Sequence, residues 1–453
     1  MAALDNRVLT SWIRDVSSTP SMGGRWPMVE LDERLVQDYF ELMDLAAEWS
    51  YNGIVLWGLF VGRNWPVSLQ EAFEPRRMER VRRLMERAQR RGLTFYVGLG
   101  VYSWGFEELI RACPNLRRGG QVKAWGRLVP HNGDVMCLHE PQARNWMRRI
   151  IDGIVEAVDP PGFQLQPFDR GRCMCGQCAK LSDAGYFSAL IGETSSYIKG
   201  KWPKKKIGVS GWGMRYDAGD ALAAVRAFAD QVDYLSDVTN SCLDRGEDYR
   251  KQFIRAVSCA FGDSAGGSVT PPQTWDRLRW YLPHIRFNGE AIRRLARDGG
   301  RAVEVFAGPV KNPGTRVSLM ALGYLAAHPE EGVERAARLA VERAYGISGE
   351  AAGQVAQGVL SAERAYFEHC APHHRGDLLF EPLESVFPGP PIYLMGAERE
   401  ALQAYKAGME RLRREMARFG EQAANRGLME DTLRAMECAA LEAGEVLSGV
   451  WAR

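Results

Sequence analysis

The sequence predicts an α/β fold: a (β/α)8 TIM barrel over residues 1–315, followed by an all-helical C-terminal region over residues 316–453. Two observations predict the barrel and a third the tail. Eight short β-rich runs, most of them separated by amphipathic helical stretches, fill roughly the first 310 residues. Such alternation builds a parallel sheet, because each crossover needs a helix to cover the sheet face. Eight units suit a closed barrel better than an open sheet. No glycine-rich phosphate loop follows the first run, which weakens the open dinucleotide-binding alternative. Beyond residue 316 the β-rich runs stop and only helical periodicity remains.

The elements follow in order. Residues 7–15 (RVLTSWIRD) read as the first strand, and 33–50 as a helix with Leu35, Tyr39, Leu42 and Leu45 on one face. Residues 53–60 (GIVLWGLF) form a continuous apolar run, as in a strand buried on both faces. A strongly basic helix over 76–91 ends at Gly92, and 93–101 (LTFYVGLGV) is the third strand. Helix 141–158 and strand 163–169 (FQLQPFD) come next, then helix 180–200 and strand 206–212 (KIGVSGW). Helix 218–231, strand 232–238, helix 249–255 and a weaker strand at 257–262 precede helix 275–297 and the last strand, 301–308. In the tail, helices are expected at 316–327, 334–345, 349–370, 397–419 and 429–447. Leu402, Tyr405, Met409, Leu412, Met416 and Phe419 recur at spacings of three and four, a seam for an intramolecular bundle or, alternatively, a homodimer.

Composition narrows the function. The 453 residues carry a net charge of +2, with 46% hydrophobic and 25% charged residues, which is globular and gives no general attraction to nucleic acid or anionic lipid. No apolar run approaches the roughly 20 residues that span a bilayer. The N-terminus lacks a basic stretch followed by an apolar one, and nine cysteines are an odd number for a disulfide framework. A cytoplasmic protein with reduced thiols is the expectation, with no membrane and no nucleic-acid partner.

In a TIM barrel the reacting groups sit just beyond the C-terminal ends of the strands. Arg14 and Asp15 follow the first strand, Asp169 and Arg170 the fourth, Arg215 the fifth and Asn312 the last. Arg127, His131 and Asp134 lie in the long connection after the third strand. Trp57 and Trp212 are among several tryptophans expected at the same rim, where flat rings suit sugar C–H faces and carboxylates and guanidinia suit hydroxyl and acidic groups. Asp15 and Asp169 are the carboxylate candidates for acid–base work, and His131 titrates near neutrality with Asp134 placed to orient it. The structural alternatives are an Asx turn or a salt bridge to Arg14 at Asp15, a loop brace at Asp169, a surface role for His131 and tryptophans that simply plug the barrel top. Cys173, Cys175 and Cys178 bind a structural zinc if a fourth ligand arrives, with Cys137 and His139 as candidates; packed, reduced thiols are the other reading. No cofactor is expected for catalysis.

Residues 163–178 (FQLQPFDRGRCMCGQC) resemble a barrel segment of bacterial glycosidase-related proteins, in which a fourth strand ending in Asp leads into a C-x-C-x-x-C loop. That segment is similar in general to family 20 hexosaminidases, although their Asp-Glu pair is replaced here by Asp169-Arg170. In layout the chain also resembles the family 156 sialidases, inverting TIM-barrel glycoside hydrolases that pair an Asp after the first strand with a His after the third. The resemblance implies that Asp15 and His131 perform the proton transfers and that Arg127 and Asn312 meet the carboxylate of a sialic acid. The expected function is therefore an exo-acting glycoside hydrolase with a glycan substrate, sialic acid first. A hexosaminidase-like hydrolase led by Asp169 and a non-catalytic carbohydrate-binding barrel are the alternatives.

Overall fold

The computed structural model describes residues 1–12, 31–61, 64–124, 127–131, 133–167, 171–211, 214, 216, 218–236, 246–256, 260–265, 281, 283–306, 312–370, 394 and 396–450. Eleven strands are described: β1 Asn6–Trp12, β2 Gly53–Trp57, β3 Thr94–Gly100, β4 Gln121–Ala124, β5 Arg127–Pro130, β6 Gly162–Gln166, β7 Arg172–Cys173, β8 Lys206–Ser210, β9 Tyr234–Ser236, β10 Ala260–Ala265 and β11 Ala302–Phe306. Eight of them close a parallel barrel in the order β1-β2-β3-β6-β8-β9-β10-β11. Closure runs through β1, which sets Trp12 against Trp57 on one side and Thr10 against Phe306 on the other.

The barrel interior explains several glycines. Val8, Val55, Trp57, Tyr96, Tyr234 and Ala302 share one buried cluster inside the strands. Tyr96 and Tyr234 meet edge to face with ring centres 5.6 Å apart. Rings of this size need neighbours without side chains: a Cβ at Gly98 would collide with the Trp57 ring, and one at Gly208 with Tyr234. The alternation of aromatic and glycine positions is therefore a packing rule of this barrel.

The helices outside are started by the polar residues before them. Asp32 accepts from the Leu35 N–H to open Glu33–Glu48, and Ser182 accepts from Gly185 to open Asp183–Lys201. The basic helix Pro75–Arg90 turns its charges onto its neighbour: Arg83 pairs with Glu33, and Arg87 and Arg91 with Asp44.

Some expected elements change. Of the helix expected over 275–297, Ile285–Asp298 is helical and Pro283 lies before its start, as a residue that cannot sit in a helix interior; residues 275–280 lie outside the described residues. The helix expected over 218–231 is shorter, Ala221–Arg226, followed by a 3-10 turn at Ala229–Gln231. β10 is described over Ala260–Ala265, and residues 257–259 of the expected strand lie outside the described residues. The connection after β3 holds a short helix, Glu107–Ala112, and the β4–β5 hairpin, neither of which was expected.

After β11, helix Pro313–Ala327 packs back on the barrel, so a single helix runs across residue 315. Tyr51 Oη donates to Leu319 O at 2.9 Å, and Leu4 N to Ala326 O at 2.9 Å. Helices Val333–Tyr345, Gly349–His369, Arg399–Ala417 and Arg426–Ser448 add a layer on that side. Glu363 joins tail to barrel, accepting from Arg286 N and Phe287 N at the start of Ile285–Asp298, while Phe287 stacks on Phe367 at 4.7 Å. Leu402, Tyr405, Met409, Leu412 and Met416 are all buried within the one chain, so the seam serves intramolecular packing.

Candidate functional site

The floor under the C-terminal face of the barrel is polar. Glu304, fully enclosed on β11, receives Thr10 Oγ1 at 2.6 Å on one oxygen and Gln164 Nε2 and Ser236 Oγ, both at 2.5 Å, on the other. Burial pushes its carboxyl above the ordinary range, and the three donors work against that. Three strands on different sides of the barrel thus converge on one carboxyl. Alternation along the strands puts Gln166 on the same face as Gln164, and Ser210 on the same face as Gly208. Sequence reasoning missed Glu304. Its signal was a charged residue inside the apolar run AVEVF, at a position whose even-numbered neighbours face the axis.

Trp57, expected to line the pocket, is instead 2% exposed and packed inside the barrel. Its neighbour Trp104 takes the outer position, partly exposed and set edge to face on Trp57 with ring centres 6.0 Å apart. Trp65 is buried against Phe60 and Phe73. Tyr102 and Trp104 adopt positive φ values of 57° and 77°, a costly conformation for large residues. The segment is pinned by a bridge between Ser103 and Val135 and by Trp65 N donating to Gly105 O at 2.8 Å. Strain held in place just beyond a barrel strand marks this as a constructed part of the mouth.

The remaining expected residues are placed as follows. His131 is half-buried, and its own loop engages both ring nitrogens: Nδ1 accepts from Gly133 N at 2.9 Å, and Nε2 lies 3.0 Å from Val135 O. This fixes the proton on Nε2, and burial holds the imidazole below its ordinary pKa, so it is neutral at pH 7. Asp134 does not reach His131 through these bonds. It is buried and accepts from Phe106 N at 2.8 Å, fixing the entry to helix Glu107–Ala112. Arg127 is exposed at the start of β5. Asn312 is buried and caps helix Pro313–Ala327, accepting from Thr315 N at 3.0 Å. Arg14, Asp15, Asp169, Arg170, Trp212 and Arg215 lie outside the described residues.

A second constellation braces the mouth. β4 pairs with β5 and with β7, forming a small antiparallel sheet that joins the connection after β3 to the one after β6. Asp183 lies under it between Lys123 Nζ at 2.6 Å and Arg172 Nη1 at 2.7 Å. Burial raises its carboxyl, but these two cations outweigh burial and leave it below the usual carboxylate range. Beside the sheet, Cys137, Cys173, Cys175 and Cys178 are all buried, with their sulfurs within 4.8 Å of one another. Cys137, the fourth ligand that the sequence offered, is in the group, whereas His139 is not. Hydrogen bonds with Cys137 and Cys178 hold the Cys173 thiol well below its ordinary value, and the same network pushes Cys178 up.

No family model and no curated protein matches the chain. Among solved structures it is similar to a family GH138 enzyme targeting the pectin rhamnogalacturonan II, with a TM-score of 0.59 and 11% identity. That match covers 99% of this chain, which spans 60% of the enzyme's length. It is also similar to a mutant O-GlcNAc hydrolase of Thermobaculum terrenum, with a TM-score of 0.54, 8% identity, and coverage of 100% and 86%. At these identities the likeness establishes a fold shared with glycoside hydrolases. No helix among the described residues is long and apolar enough to cross a membrane.

Proposed function

We propose that this protein is a glycoside hydrolase that removes a terminal sugar at the C-terminal face of its barrel. The observation that carries the reading is the polar floor built on Glu304, Thr10, Gln164 and Ser236. Barrel interiors are ordinarily filled by branched aliphatic side chains, so a polar network at that level is a departure that a polar ligand above it would explain. The fold shared with a GH138 enzyme and an O-GlcNAc hydrolase supports the same class.

In this reading Asp15 and Asp169 supply the carboxylates, each lying three residues beyond a barrel strand that ends at Trp12 or Gln166. Glycosidic bond cleavage needs one group to protonate the leaving oxygen and another to activate water or attack carbon. With sialic acid, the first candidate, Asp15 and His131 share these transfers, and His131 gives up its bond to Val135 O to meet substrate. Arg127 then holds the substrate carboxylate, with Arg14, Arg170, Arg215 and Trp212 around the sugar. Trp104 offers the stacking ring and Trp57 supports it from below.

A second reading, a hydrolase of N-acetylated amino sugars led by Asp169, draws support from the likeness to the O-GlcNAc hydrolase. A panel of aryl glycosides including a sialoside and an N-acetylglucosaminide tests both. Release from the sialoside alone supports the first, and release from the N-acetylglucosaminide the second. Sugar binding without turnover of any member would leave a carbohydrate-binding barrel and overturn the hydrolase.

A further inference from the structure

We propose that Cys137, Cys173, Cys175 and Cys178 form a structural Zn2+ site that clamps the two connections framing one side of the barrel mouth. Cys137 comes from the connection after β3, and the other three come from the connection after β6. The cluster therefore joins segments about 40 residues apart in sequence, on neighbouring barrel strands.

The spacing fits a tetrahedral tetrathiolate. Zn–S bonds of about 2.3 Å at tetrahedral angles put sulfurs about 3.8 Å apart. Cys137 Sγ lies 3.7 Å from Cys175 Sγ and 3.8 Å from Cys178 Sγ, and all four sulfurs fall within 4.8 Å. A disulfide needs sulfurs at about 2.05 Å, and all four cysteines are free thiols.

Zn2+ with four thiolates carries a net charge of 2 − 4 = −2, which nearby donors and cations must balance. Cys178 N donates to Cys175 Sγ at 3.5 Å, across the Cys-x-x-Cys turn, and Ala179 N donates to Cys175 O at 2.9 Å. Arg172 is 3% exposed and donates to Cys178 O at 2.6 Å and Leu181 O at 2.9 Å, which fixes the segment carrying that ligand. Cys137 is set by its own N–H to Leu116 O at 2.8 Å. Zn2+ binding releases the remaining thiol protons to solvent, and no ligand position is left for substrate, so the metal is structural rather than catalytic.

Elemental analysis of the purified full chain, expressed in zinc-supplemented medium, tests the site without reference to activity. About one zinc per chain is expected, released when a mercurial reagent titrates the thiols. Cys175→Ser should lose most of it, whereas Cys438→Ser, distant in sequence and outside the cluster, should keep it. Because a cysteine variant can fail to fold, Co2+ substitution of the wild-type protein gives a second readout: intense thiolate-to-metal absorption typical of a tetrahedral S4 site. Iron in place of zinc, disulfides between these cysteines, or zinc far below one equivalent with all four thiols freely reactive would overturn the proposal.

Discussion

Glu304 is 1% exposed, and its two oxygens accept from Thr10, Gln164 and Ser236. Glu304→Leu removes both acceptor oxygens and leaves the Gln164 amide and the Thr10 and Ser236 hydroxyls without that partner. Leaving a buried donor unsatisfied costs about 1–3 kcal/mol, and urea unfolding should report a loss of that size. An unchanged midpoint would mean that the network rearranges freely. His131 makes the complementary case. Its loop bonds are local, so His131→Ala should fold normally yet lower turnover on the cleaved glycoside by about 10²–10⁴-fold. Retained turnover would reduce the histidine to a loop staple and remove the Asp15–His131 pairing with it.

At the scale of elements, two glycines separate packing from propensity. Gly98 faces the Trp57 ring inside the barrel, so Gly98→Ala should destabilise by about 1–3 kcal/mol through overpacking. Gly192 lies within helix Asp183–Lys201 with nothing near its missing Cβ, so Gly192→Ala should stabilise by about 0.5–1 kcal/mol. Thermal melting of both variants checks the pair, and equal shifts would contradict the account of the barrel interior. The contact between tail and barrel has its own signature. Burial raises the Glu363 carboxyl to about 7 despite its bonds from the Phe287, Arg286 and Ile285 amides. A folded pKa above the unfolded value means the native state holds the proton more tightly. The stability from Glu363 is thus present below about pH 4.5 and lost as pH rises through about 7. Wild type should lose stability relative to Glu363→Gln across that window, and parallel pH curves would contradict the assignment.

Over the whole molecule, the barrel was legible because its strands are apolar runs of the right length between amphipathic helices, such as GIVLW and residues 141–158. The β4–β5 hairpin was not, since it is short and largely exposed, and its pairing with β7 is set by a contact about 50 residues away. Cys137 was legible as the fourth member of the cysteine cluster only as one of two candidates, because spacing cannot say which residue the fold brings in. Trp57 and Trp104 show the same limit. Both follow apolar runs, but only three-dimensional packing sends one ring inside and leaves the other at the mouth. Glu304 was not legible because strand ends mark the rim of a TIM barrel, whereas its axis collects side chains from mid-strand. The central claim is that carboxylates beyond β1 and β6 cleave a glycosidic bond over this polar floor. Its most direct test is kcat/KM on the best glycoside of the panel for wild type, Asp15→Asn and Asp169→Asn, with melting curves to confirm folding. The account predicts a loss of about 10²–10⁴-fold in each folded variant; near-normal kcat/KM in both would contradict it.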